Sequence, residues 1–443
     1  MKSIPLILCT LACLPATPSK GADPADASIA PPPSLGGRAL TLSAVTQAAL
    51  AANPSVREAR SRASALAQRP AQLSAWDDPK LSLSSRVARF VNIAPNGFTD
   101  QMIGLEQSLP ISGRNQIRAR VAASEATVAV EEVRRRELDV VAKARSAYFR
   151  LSRDYALLDL NRANERSWRE TIETTRAKFE VGTRSQADVL AAESELVRLS
   201  EARRDLERVR SEDQTELNVL LNRDPSASLG QPADVGFSRP RQTVDAARLR
   251  GMILSRRPEI RIAEAALVVA STQRNLARKM WVPDPALGVS AQRYNSAAQA
   301  VSEVGVGVSF TLPWANPGKY RAIEREAAAA ETAAQRALEQ VRLNSLGRLR
   351  DQIARVETSR HHVELFRERL LPLARQSLEA NRDDYASGRA VFADLILAQR
   401  NVRDTESTYQ HHIADYQVAL AELEAVVGAD LQLFPSLRQP SRH

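Results

Sequence analysis

Cysteine is almost missing from this chain. Of 443 residues two are Cys, and both, Cys9 and Cys13, fall near the start. Once that opening is removed, neither a disulfide framework nor thiolate chemistry is available. Long apolar runs are missing too: beyond the opening, nothing approaches the ~20 consecutive apolar residues of a membrane helix. Aromatics are scarce at 5%, while charged residues reach 26%. Long helices with solvated faces give that balance. Proline is absent from Ile111 to Asp224, where the only glycines are Gly113 and Gly182. A stretch without breakers that long reads as helix. Catalytic signatures are absent as well. There is no phosphate loop, no Cys ligand set and no HExxH, and Gly305-Val306-Gly307 belongs to an alternating strand. The expectation is a non-enzyme without a cofactor.

What is present begins with a leader. Lys2 and the apolar run from Ile4 to Leu14 resemble a secretory signal, expected over 1–22 and ending at Ala22, with Lys20 an awkward residue at its −3 position. Lipidation at Cys13, after Leu11-Ala12, is the alternative. Residues 23–39, with Pro31-Pro32-Pro33 and Gly36-Gly37, read as a linker. The net charge is +9, but Arg alternates with acids, as in Glu131–Glu137. That is a solvated helix face, so no nucleic-acid partner is expected.

The chain then repeats itself. Phe179–Leu190 (FEVGTRSQADVL) returns 206 positions later as Tyr385–Ile396 (YASGRAVFADLI). Trp76 answers Trp281, Asp78-Pro79 answers Asp284-Pro285, Leu109-Pro110 answers Leu312-Pro313, and Leu221-Asn222 answers Val427-Gly428. Each half reads as helix, β-hairpin, long helix, glycine turn, returning helix. The first repeat is expected over 40–222, with strands in about 78–110 and a helical hairpin in about 114–221. An inter-repeat segment covers 223–247. The second repeat covers 248–428, with strands in about 285–313, a helical hairpin in about 318–427 and a kink near Pro372. A tail of 429–443 follows. Gly182 and Gly388 are placed to end helices with positive φ, and Ser185 to cap the next one. A three-four stripe from Val189 through Leu199 to Leu220 forms a seam. Its middle, Arg203, Arg210 and Asp213, is charged and so faces water or another polar surface.

A helix of about 65 residues is about 100 Å long and cannot bury itself in a compact core. The strands are of a length to cross a bilayer, about 8–11 residues, with apolar groups on one face. One chain supplies only four of them, and an open edge is not tolerated in lipid. Several copies must therefore build one barrel, with the helices forming a longer tube beneath it.

Here the residues resemble a family. The duplicated order, the VGT-R-x-x-A-D-V-L stretch at Val181–Leu190, the Leu-Pro after each second strand and the D-P entry to each hairpin are similar to the TolC-type outer-membrane efflux proteins, over about Leu40 to Asp430. The resemblance implies a homotrimer: a 12-stranded outer-membrane β-barrel on a 12-helix periplasmic α-barrel. It also implies a periplasmic membrane-fusion adaptor, an inner-membrane RND-type pump and outer-membrane lipid as partners. Within the family the chain looks most like the heavy-metal branch, implying cation efflux. Drug efflux and type I secretion through the same channel stay open. A soluble periplasmic coiled-coil adaptor is the alternative from another class; paired apolar strands above each helical hairpin have no place in it.

The same resemblance implies a periplasmic gate at Asp394 and Asp188, beside Gly182 and Gly388. Family turns of the second copy usually carry Gly-Thr-Arg. Arg184 keeps that spacing in the first copy, whereas Arg389 directly follows Gly388 in the second. First-turn stabilisation by the helix dipole is the plainer role for either aspartate; the gate role is the expectation for Asp394 and an interhelical polar contact that for Asp188. His361-His362 and His411-His412 lie at one level of the second hairpin. Neighbours on a helix point about 100° apart, so neither pair chelates alone. Packing between helices is the expected role of His412, and no metal site is assigned.

Overall fold

A computed structural model describes residues 39–86, 88–89, 92–93, 100–233, 245–294, 301 and 303–429. The leader with Cys13, nearly all of the linker, the loop residues Pro95, Asn96 and Gly97, and the tail from 430 lie outside them.

Three short helices open the first half: α1 (Leu42–Ala52), α2 (Pro54–Ala67) and α3 (Arg69–Ser74). The breaks fall where Pro54 and Pro70 sit in first turns, the one place a helix accepts proline. Strands β1 (Lys80–Arg86) and β4 (Asp100–Ser108) follow, with a small ladder of β2 (Ala88–Arg89) and β3 (Asn92–Ile93) between them. The breaker-free stretch forms α4 (Arg114–Glu180) and α5 (Gln186–Leu220). The second half repeats the plan with α6 (Ala246–Arg256), α7 (Pro258–Lys279), β5 (Ala286–Tyr294), β6 (Glu303–Ser309), α8 (Pro317–Leu365), α9 (Leu371–Ala386) and α10 (Phe392–Val427). A π-helical turn, Phe366–Leu370, joins α8 to α9. Pro372 follows it, and its missing N–H and its ring disrupt the turn below. Among the described residues no helix is long and apolar enough to cross a membrane.

The duplication is visible in the backbone and not only in the letters. Gly182 and Gly388 have φ of 77° and 79°. Thr183 N donates to Lys178 O and Arg389 N to Asp384 O, the same helix-ending turn in both copies. Asn222 and Gly428, the counterparts at the ends of α5 and α10, are also left-handed, at 53° and 75°. The caps repeat as well. Asn53 Nδ2 donates to Leu220 O at 2.9 Å, and Arg257 Nη1 donates to Val426 O at 2.9 Å.

The four long strands make one antiparallel sheet in the order β1-β4-β5-β6, so the two hairpins join through β4 and β5. Leu81 pairs with Leu105, Leu105 with Val289, and Val289 with Val306. Leu83, Ile103, Ala291 and Val304 form the next row. These side chains share one face and lie open, with Leu83 74% and Val306 76% exposed. The other face carries Ser82, Gly104, Ser290 and Gly305, paired across in a row. One face is greasy and the other small and polar, the alternation of a strand between lipid and a lumen.

Below the sheet, α4 packs against α5, α7 and α10, and α8 packs against α7 and α10. One core surrounds Tyr148, Phe149 and Leu217, and Tyr148 donates its hydroxyl to Leu40 O at 3.0 Å. A second joins α6, α8 and α10 around Ile253, Val363 and Leu423, and a third gathers Trp168, Leu199, Phe392 and Leu395 near the hairpin tips. The charged middle of the α5 seam faces a polar surface and not open water. Arg203 reaches Glu165 at 3.1 Å, and Asp213 accepts from Arg150 at 3.1 Å and Arg153 at 3.3 Å.

Glycine matters unequally along these turns. A Cβ on Gly428 would lie 3.2 Å from Arg256 O and from Arg257 Cα, against the α6–α7 junction, whereas one on Gly182 meets nothing within 4 Å. Gly428→Ala is expected to cost about 2–3 kcal/mol and Gly182→Ala about 1 kcal/mol, read as thermal midpoints. Equal shifts would mean that the contact at Gly428 is not tight.

Candidate functional site

The two glycine turns lie together at the end of the molecule away from the sheet. In the first, Ser185 caps α5 by accepting from Asp188 N at 3.3 Å. In the second, α10 starts after Val391 with no side-chain cap. Arg184 joins the tips: its Nη2 donates to Tyr385 O at 2.6 Å, and its guanidinium lies 3.9 Å above the Tyr385 ring. Tyr385 is buried against Phe392, with ring centroids 5.4 Å apart. Burial pushes its hydroxyl pKa upward, partly offset by the Arg184 charge and reinforced by Asp188. Arg389 turns back instead, donating from Nε and Nη2 to Asp384 at 3.0 and 2.8 Å.

Asp188 is half-buried in the first turn of α5 beside this cluster, and Asp394 is exposed in the first turn of α10. Neither carboxylate has a hydrogen bond or ion pair among the described residues, so the interhelical polar contact expected of Asp188 is not found there. A sequence reading finds these acids and glycines but misses the Arg184–Tyr385 bolt. Its partners are 201 positions apart and carry no local signal.

Further bolts tie the two halves together. Asp284 accepts from Ser112 N at 2.8 Å and from Arg114 Nε at 2.9 Å, where strands meet helices. Arg145 on α4 pairs with buried Glu424 on α10. Glu195 accepts from Arg400 Nε at 3.0 Å, and that bond holds its carboxyl below the usual range.

Two of the histidines pack ring against ring. His362 and His412 lie with ring centroids 4.9 Å apart, and Phe366 packs edge-on against His412 at 4.8 Å. Burial lowers the pKa of His411 and His412, aided by Arg153 beside the first and His362 beside the second. Among the described residues no group of three or more His, Cys, Asp or Glu is placed to hold a metal ion.

Asp154 lies fully buried beside Arg153, whose Nη2 donates to it at 2.7 Å. Burial outweighs that partner, and Asp213 adds to it, so its pKa is pushed up to about 6. A carboxyl raised in the fold gives stability that is full below its unfolded value of about 4 and lost as pH climbs through the folded value. Asp154→Asn is therefore expected to gain about 1–3 kcal/mol over wild type at pH 8 and nothing at pH 4. Thermal midpoints across that range check it. A variant that loses stability equally at both pH values contradicts it.

A duplicated helical-hairpin chain with a greasy-faced sheet has the architecture of a membrane channel protein. The chain belongs to the outer membrane efflux protein family, whose profile matches residues 45–223 and 249–429. This is a family of transport channels and not of enzymes, and its place is the outer membrane. Among curated relatives, the probable efflux pump outer membrane protein SepC of Pseudomonas putida is 28% identical over 221 residues, 49% of this chain and 45% of that protein. The alkaline protease secretion protein AprF of Pseudomonas aeruginosa is 23% identical over 73% of this chain and 70% of its own length. The chain spans about half the length of the first curated relatives it matches. Solved structures share the fold. CusC superposes with a TM-score of 0.75 at 18% identity, covering 88% of this chain and 92% of that one. VceC of Vibrio cholerae gives 0.72 at 17%, covering 88% and 96%. The fold is thus the TolC-type one, with strands for a β-barrel and hairpins for a long helical barrel on the periplasmic side.

Proposed function

We propose that three copies of this chain form the outer-membrane exit duct of a tripartite efflux system, fed by a periplasmic adaptor and an inner-membrane RND-type pump. The observation that carries this is the sheet: four strands of seven or nine residues, shorter at β1 and β6 than the about 8–11 expected from sequence, with one greasy face and with edges at β1 and β6 that have no strand partner among the described residues. Twelve strands from three copies exceed the roughly eight of the smallest membrane barrels. The division into two repeats joined by the 223–247 segment is part of the same proposal, since each repeat supplies two strands and one helical hairpin.

The hairpin tips form the closed mouth in this reading. Arg184 holds the two tips of one chain together, and Asp394 and Asp188 bring carboxylates to the narrowing. Rings of carboxylates attract cations and repel anions. In planar bilayers the channel should pass small cation-selective currents that millimolar divalent cations reduce. Asp394→Ala should raise conductance severalfold and weaken the divalent block. Unchanged current and block in the variant would remove Asp394 from the mouth.

For cargo, relatives whose names specify toluene, solvent or antibiotic efflux favour small organic solutes. Heavy-metal cations are the second reading, resting on the likeness to the metal branch. Restoring a channel-deleted host with this chain and its own pump separates the two. Regained tolerance to toluene but not to copper or zinc supports the first, and the reverse supports the second.

A further inference from the structure

The sheet ends on two edges, β1 and β6, and the repeat specifies what each edge meets. The offsets differ slightly within the repeat: entry strands are 206 positions apart, as in Asp78 and Asp284, and exit strands 203, as in Leu109 and Leu312. Shifting the first hairpin's Leu81–Leu105 pair by these offsets gives Leu287–Val308, which is the pair observed in the second hairpin. The duplication is therefore accurate to single-residue register.

The same shift applies to the junction between halves. Inside the chain, exit strand β4 pairs with entry strand β5: Leu105 with Val289, Glu106 with Gly288, and Gly104 with Ser290. The equivalent junction joins exit strand β6 to entry strand β1, and in one chain these lie at opposite sheet edges. Three strand spacings separate them, about 14 Å. A second copy of the chain is thus the occupant of each edge.

We propose that β6 of one copy pairs antiparallel with β1 of the next in one register, with Val308 opposite Leu83, Ser309 opposite Ser82, and Gly307 opposite Ser84. This rests on the multi-copy duct proposed above and adds the residue-level contact. The side-chain pattern supports it independently. In this register Val308 and Leu83 continue the greasy face across the seam, and Gly307, Ser309, Ser82 and Ser84 continue the small polar one. A slip of one residue would set apolar side chains beside polar ones all along the seam. Where the equivalent β4–β5 junction begins, Leu109 N donates to Pro285 O at 2.8 Å, so that pair is hydrogen-bonded. Bonded and non-bonded pairs alternate, which makes Glu106–Gly288, and hence Ser309–Ser82, a closely spaced non-bonded pair. Its Cα separation, about 4.5 Å, lies within disulfide range.

The test is disulfide trapping in the full-length chain in outer membranes. Ser82→Cys with Ser309→Cys is the in-register pair. Ser84→Cys with Ser309→Cys, and Ser82→Cys with Gly307→Cys, are slipped by two residues on the same face. Single-Cys chains control for folding and for chance collision, and light scattering in detergent reports the copy number. The expected result is covalent dimers and trimers from the in-register pair, at least about tenfold above the slipped pairs. Stronger linking by a slipped pair, or no linking by any pair in chains that still assemble as trimers, would overturn the register while leaving the duct reading in place. Monomers by light scattering in detergents that preserve porin trimers would overturn the duct reading itself.

Discussion

Val289→Lys is expected to remove the protein from the outer membrane. Val289 stands in the middle of β5, flanked by Leu105 and Val306 on the open greasy face. A lysine facing lipid in a barrel costs up to about 2–4 kcal/mol per chain, and in the proposed trimer three chains carry it at once. Gln292→Lys supplies the contrast. It lies on the same strand but on the opposite face, between Met102 and Glu303. There the new charge meets a lumen and an acidic neighbour, and a cost under about 1 kcal/mol is expected. Outer-membrane fractionation and heat-modifiable migration read both variants. Loss of Gln292→Lys with retention of Val289→Lys would reverse the two faces.

The second large effect is expected at Arg145. Its partner, Glu424, is 3% exposed and lies on a helix from the other half of the chain. Removing one member of a buried ion pair takes away part of the other charge's compensation where water does not reach, at a cost of up to about 3–5 kcal/mol. Arg145→Leu should therefore lower the thermal midpoint sharply. The double variant, Arg145→Leu with Glu424→Leu, should recover most of the loss, because apolar pairs replace buried ion pairs at little cost. A double variant no better than the single one would show that the damage does not come from the broken Arg145–Glu424 pair.

These two positions mark what a sequence tells and what it leaves out. The strand face of Val289 was legible, because alternation is local. The turns at Gly182 and Gly388 were legible for the same reason, and so was an interruption of the helix near Pro372, which takes the form of a π-helical turn. The equivalence of Asn222 with Gly428 came from the repeat alone, and both adopt the left-handed conformation. Arg145 gave no signal: it is one arginine among many on a charged helix, and its partner lies 279 positions away. The same holds for Arg184 on Tyr385 and Arg400 on Glu195. The charged seam of α5 was seen, but its partners on α4 depend on which face that helix turns inward. A 67-residue helix with charge on every side does not reveal that face. The histidine pairs show the limit from the other direction. Their common level was legible, and so was a packing role for His412, but its ring partner Phe366 was not.

Among the described residues β1 and β6 have one strand neighbour each, and in the proposed duct one chain is an incomplete object. The most direct measurement is the mass of the detergent-solubilised protein by multi-angle light scattering, under conditions that keep outer-membrane porin trimers intact. Three chains per particle is the expected result. One chain per particle, with the sheet still formed, would contradict the shared barrel and the conduit built on it.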